Sequence, residues 1–143
     1  MPKIILVGVD GSDSSRKAAT VAAELAAGTG ATLHVLTAVD PHRMGSQDET
    51  AQMGDVRALT PGEAAEAIAA EIASTLTGVT PRIESSPIQG KPAHALVEEA
   101  KRLGADLIVV GNRRVQGISR ILGSVASDVA QHAPCDVYIV KTV

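Results

Sequence analysis

Tryptophan and phenylalanine are absent from this chain of 143 residues, and Tyr138 is its only tyrosine. A core without them must be built from Val, Ile, Leu and Ala, whose small side chains let helices lie close against a sheet. The same lack excludes the aromatic platform on which single-stranded nucleic acid stacks. A net charge of −3 gives no general electrostatic pull on DNA or anionic lipid. Cys135 is the only cysteine, which excludes an intrachain disulfide and cysteine-rich zinc sites. His34, His42, His94 and His132 are dispersed along the chain without zinc-ligand spacing, so no metal site is expected. The apolar runs are far too short to span a bilayer. The start, Met1-Pro2-Lys3-Ile4, enters a strand-like run without a secretory apolar segment. The expectation is one cytoplasmic domain over residues 1–143, with neither nucleic acid nor membrane as partner.

What is present alternates between two periods. Residues 3–9 are nearly continuous in Ile, Leu and Val, as in a parallel strand covered on both faces. From 14 to 27, Ala18, Val21, Ala22 and Leu25 mark one face of a helix, with Ser12, Asp13 and Ser14 all able to cap it and Gly28 and Gly30 to end it. A second strand spans 32–39. Residues 40–60 hold no sustained period, and a loop of that length is expected to be mobile or to fold over a ligand. A helix follows from Pro61 to Thr77, then a weak strand over 81–87. Its bordering prolines suit the edge of a sheet better than its middle. A third helix opens at Pro92 and closes at Gly104. A strand at 106–110, a short helix from Ser124 to about His132, and a final strand from Asp136 to Val143 complete the order. This β-α alternation predicts an α/β fold: a three-layer sandwich with a five-stranded, mainly parallel, Rossmann-like sheet in the strand order 3-2-1-4-5.

Ligands of such sheets bind beyond the carboxyl ends of the strands. Asp10, Ala38 and Gly111 all stand at such ends. Gly111, Gly117 and Gly123 punctuate the segment between the fourth strand and the helix at Ser124. Free amides at a helix start, with glycines in front of them, form an anion site, and Arg113, Arg114 and Arg120 are suited to phosphate oxygens. Asp10 suits ribose hydroxyls or base amino groups. The same residues fit a plainer role: turn glycines, a simple N-cap at Ser124, and a helix cap at Asp10. The pattern is neither a Walker A loop nor the dinucleotide glycine trio, both of which follow the first strand.

Val9-Asp10-Gly11-Ser12, Ala38-Val39-Asp40, Gly90 before the Pro92 helix, the run from Ala105 to Gly111, Leu122-Gly123-Ser124-Val125, and the run from His132 to Val140 together resemble the universal stress protein family over essentially the whole chain. The resemblance implies an adenine-nucleotide site. In it Asp10, beside Val9, lies by ribose and adenine, and the Ala38 backbone reads the adenine edge. Gly111, Gly123, Ser124 and Val125 hold phosphate, joined by Arg113 and Arg114. The family's phosphate loop runs Gly, two residues, Gly, nine residues, Gly, then Ser or Thr. Here Arg114 takes the place of the second glycine, and eight residues separate it from Gly123. A bulky cation there implies either a ligand with less phosphate than ATP, such as AMP or cyclic AMP, or an empty site in a dimeric interaction module.

The implied ligand is thus ATP or another adenine nucleotide, with Mg as its only expected metal, and the implied activity is at most weak ATP hydrolysis. No catalytic residue is assigned. Cys135, beside Pro134 and without a paired base, reads as a packed side chain rather than a nucleophile. The final strand is expected at a sheet edge, where the resemblance implies a homodimer through antiparallel pairing.

Overall fold

The structure is a computed structural model that describes residues 2–40, 59–112 and 123–142. At its centre is β1 (Ile4–Gly8), whose Ile5, Leu6 and Val7 are completely buried, as their unbroken apolar run requires of a strand covered on both faces. It is flanked by β2 (Thr32–Val39) and β4 (Leu107–Gly111), with β3 (Ile83–Gln89) and β5 (Asp136–Val140) at the two edges. All four pairings are parallel and the order is 3-2-1-4-5, as expected. The α/β, Rossmann-like assignment therefore holds.

On one face lie α1 (Asp13–Thr29) and α2 (Pro61–Leu76). Ala18, Ala19, Ala22, Ala23 and Ala26 of α1 meet Ile5, Val7, Leu33, Val35 and Val109 of the sheet, joined by Ala69 and Ile72 of α2. On the other lie α3 (Pro92–Leu103) and α4 (Ser124–His132), where Leu96, Ala100, Ala126 and Val129 cover Leu6, Leu36, Ile108 and Val110. The missing aromatic bulk is replaced by this alanine surface, which brings helix and sheet backbones together.

Ser12 is the cap of α1: its hydroxyl accepts the Ser15 N–H at 3.1 Å. Gly28 does not end that helix, since it lies inside it. The stop is Gly30, in the left-handed region at φ 75°, returning its N–H to the Ala26 carbonyl at 2.8 Å. At β3 the strand runs past Pro87 to Gln89. Thr37 and Val39 present their backbone groups to β3, and strand amides alternate in direction, so the Pro87 nitrogen faces the open edge and no ladder bond is lost. At the far end, β5 stops at Val140 rather than Val143. Thr142 instead donates its N–H to the Asn112 side-chain oxygen at 2.8 Å. Asp106 stands just outside β4, and its carboxylate accepts the N–H groups of Lys3 (2.7 Å) and Ile4 (3.0 Å), tying the chain start to the sheet. Among the described residues no helix is long and apolar enough to cross a membrane.

Candidate functional site

The carboxyl ends of the central strands are where the sheet opens. The Val9 N–H donates to the Leu36 carbonyl at 2.9 Å, just past the last β1–β2 register pair, Gly8 with Leu36. Beyond that point β1 turns away and β2 continues. Strand backbone groups alternate in direction. The Leu36 carbonyl faces β1, while the Val39 carbonyl accepts from Gly90 beyond β3. Ala38 therefore directs its N–H and C=O to the side that β1 has left. An acceptor–donor edge of the kind a nucleobase carries matches such a pair.

Asp10 begins the turn that takes β1 into α1. Its Oδ1 accepts the Ser12 N–H at 2.9 Å, and its own N–H donates to Ser15 Oγ at 3.2 Å. The helix cap is Ser12, so Asp10 shapes the turn rather than capping the helix. Gly11, at φ 87°, makes the turn possible, because an L side chain is strained in that region. Gly111 serves differently, since its φ is not positive. A Cβ placed there would stand 3.1 Å from Ser14 Oγ and 3.4 Å from Thr142 Oγ1. The glycine lets α1 approach β4 closely, and the hydroxyls of Ser14 and Thr142 bond to each other across this contact.

The N-cap of α4 is Gly123, with Ser124 as the first helical residue, which replaces the plain Ser124 cap allowed by the sequence. Gly123 at φ −58° and ψ 155° has no side chain with which to cap the helix. The positive end of the dipole and the amides of the first turn therefore carry no side-chain cap. The Ser124 side chain is exposed.

These ends meet in a cleft of about 510 Å³, within the range of small-molecule sites. Val9, Asp10, Ala38, Gly111, Ser124 and Val125 all line it. Gly123 adjoins it through its place at the head of α4. Arg113, Arg114, Gly117, Arg120, the second-glycine comparison and most of the 40–60 segment (residues 41–58) lie outside the described residues. The structure adds three groups that sequence reasoning missed. Ser12, the cap of α1, and Ser14 in its first turn reach the cleft, as do Pro61, Ala64, Ala65 and Ile68 of α2. The third is Thr37, with a buried side-chain oxygen that has no hydrogen-bond partner among the described residues. The one sequence signal for it was a hydroxyl inside an apolar strand run.

Outside the cleft, Cys135 is half-buried, and burial, with Asp136 and Asp106 nearby, raises its thiol pKa. A raised pKa disfavours the thiolate and fits a packed side chain. Arg16 of α1 forms a forked ion pair with Glu71 of α2, at 3.1 and 2.5 Å, on the exposed surface between these two helices. Among the described residues no three His, Cys, Asp or Glu side chains gather as a metal centre.

The sequence model of the universal stress protein family matches residues 1–141. A universal stress protein of Thermus aquaticus, encoded in a sulfhydrylase 3′ region, is 39% identical over 142 residues, covering 99% of this chain and all of the relative. One from Mycobacterium tuberculosis strain H37Rv is 38% identical over 149 residues, covering 98% of this chain and 97% of the relative. The fold superposes with a TM-score of 0.74 on the crystal structure of a universal stress protein in complex with cAMP, which is 38% identical over 99% of both chains.

Proposed function

Because this chain belongs to the universal stress protein family, we propose that its cleft binds an adenine nucleotide and that binding makes it a regulator or sensor of stress. The observation that carries this reading is the convergence on one cleft of the outward-facing Ala38 backbone, the Asp10 turn and the α4 start without a side-chain cap. Ala38 reads the adenine edge, Asp10 and Val9 hold the ribose end, and Gly111, Gly123, Ser124 and Val125 receive phosphate at the positive end of α4. Arg113 and Arg114 are assigned to phosphate from sequence alone. The candidate ligands are ATP (with Mg on its phosphates), AMP and cyclic AMP; the complex of the 38%-identical relative supports including cyclic AMP. Any ATP hydrolysis is weak.

The working unit is one domain over residues 1–143, cytoplasmic and homodimeric through the C-terminal strand. Among the described residues β5 pairs only with β4, and Tyr138 on it is 44% exposed, which supports pairing with a twofold mate.

Calorimetry of nucleotide-stripped protein with ATP, AMP and cyclic AMP tests the reading and ranks the ligands. Binding should weaken in Ser124→Ala and in Asp10→Ala. No heat and no melting shift at millimolar ligand would refute it and leave a dimeric interaction module with a degenerate site.

A further inference from the structure

Two residues beyond β5, Thr142 is 7% exposed and joins the start of α1 to the exit of β4. Its N–H donates to Asn112 Oδ1 at 2.8 Å, and its Oγ1 stands 3.2 Å from the same oxygen. That Oγ1 also bonds to Ser14 Oγ. An amide oxygen has no proton to give, and a threonine hydroxyl has one. The Thr142 proton therefore lies towards Asn112, and the bond to Ser14 uses the proton of Ser14. One hydroxyl thus donates on one side and accepts on the other, which valine in the same space cannot do.

The residues it connects belong to two walls of the cleft. Ser14 is in the first turn of α1, just after the Asp10 turn, and Asn112 follows Gly111 where β4 ends. Ser14 and Gly111 both line the cleft, whereas Thr142 lies outside its lining. Gly111 has no side chain with which to join the walls. Ser14 Oγ and Thr142 Oγ1 meet across it, 3.1 and 3.4 Å from where its Cβ would stand. In the nucleotide reading, the Asp10 turn holds ribose and Gly111 receives phosphate. We propose that Thr142 is a positioning residue: by tying Ser14 to Asn112, it fixes the spacing between the ribose and phosphate ends of the cleft. The inference rests on the nucleotide reading and adds to it a residue from behind the cleft wall. A ligand that engages both walls gains from a spacing set in advance, because less remains to be ordered on binding. A ligand that engages only the Asp10 wall gains nothing.

The test measures AMP and adenosine binding by calorimetry, each protein being held well below its melting point. It compares wild type, Thr142→Val, Thr142→Ser, Ser14→Ala and the Ser14→Ala/Thr142→Val double variant. Thr142→Val should bind AMP about 3- to 10-fold more weakly, the range for one more side chain to be ordered on binding. Its adenosine affinity should stay within about 2-fold of wild type, since adenosine lacks the phosphate that reaches Gly111. Thr142→Ser should restore AMP affinity to within about 2-fold, because the hydroxyl is retained. Ser14→Ala should show the same split between AMP and adenosine, and it decides the matter by itself if Thr142→Val folds poorly. The double variant should bind AMP within about 2-fold of the weaker single one, because both substitutions remove the same tie. AMP binding unchanged in Thr142→Val or Ser14→Ala would overturn this inference and leave the nucleotide reading intact. Equal losses for AMP and adenosine would reduce Thr142 to a structural residue and overturn it too. Losses that multiply in the double variant would refute the route through Ser14. Wild type that binds neither ligand would overturn the parent reading and this one together.

Discussion

Gly8 and Leu96 form a steric pair that can be measured directly. Gly8 closes β1, and a Cβ added to it would stand 2.7 Å from Leu96 Cδ1, 3.4 Å from Cδ2 and 3.5 Å from Cγ. Leu96, on α3, is 1% exposed and packed in the second core as well as lining the cleft, so moving it aside disturbs that packing. The Gly8 backbone is not left-handed, so alanine is allowed there and reduces unfolded-state freedom by about 0.4–1 kcal/mol. Overpacking opposes this with about 1–3 kcal/mol. Gly8→Ala should therefore destabilise by about 1 kcal/mol, which for a domain of this size lowers Tm by about 3 °C. Leu96→Ala alone should cost about 2–5 kcal/mol through lost burial and the cavity left behind. In the double variant the new methyl enters vacated space, so its cost should fall short of the sum by at least about 1 kcal/mol. Urea unfolding of ligand-free protein, followed by far-UV circular dichroism, supplies the four free energies of the cycle. Additivity to within about 0.3–0.5 kcal/mol would refute the reasoning, because contacting residues should not behave independently.

At the start of α2, Thr60 Oγ1 accepts the Glu63 N–H at 3.1 Å and Glu63 Oε1 accepts the Thr60 N–H at 2.9 Å. Thr60→Ala should cost about 1 kcal/mol in the same urea assay, and an unchanged midpoint would show that this capping box contributes nothing. The Asp106 carboxyl is held below its ordinary pKa by the N–H groups of Lys3 and Ile4. Its contribution is therefore complete above the unfolded aspartate value near pH 3.9 and lost as pH falls through the depressed folded value. Because the group is exposed, this amounts to a few tenths of a kcal/mol. Asp106→Asn should flatten the stability profile below about pH 4, and an unchanged acid limb would refute the assignment. Cys135, with its thiol pKa raised by burial, should alkylate several-fold more slowly at pH 8 than free cysteine. Reaction at the free rate would mean that the thiol is not packed.

The main elements were readable because each period is a local property. Val-rich runs produced β1, β2 and β4, and the alanine face produced α1. The errors and open choices fell where backbone conformation, a specific hydrogen bond or a neighbouring strand decides. Gly28 and Gly30 are equivalent as helix stops until one of them takes the left-handed conformation and bonds back to Ala26. Pro87 looks like a strand boundary unless its nitrogen is known to face the open edge of the sheet. The three candidate caps of α1 were separated only by which hydroxyl meets the Ser15 N–H.

At the candidate site the division is similar. Asp10, Ala38, Gly111 and Ser124 were identifiable because residues at strand ends and helix starts follow from the element order alone. That order, carried by hydrophobic period and by glycine and proline punctuation, is what the sequence by itself determined, together with family membership. Tertiary structure alone decided the reason for Gly111, whose value is the close approach of Ser14 and Thr142 from opposite ends of the chain rather than an unusual φ. It alone turned the Ala38 backbone towards a gap and left the Thr37 hydroxyl buried, with no partner among the described residues. Such features depend on which atoms meet across the sheet, and no periodicity along the chain encodes a contact between residues as far apart as Ser14 and Thr142.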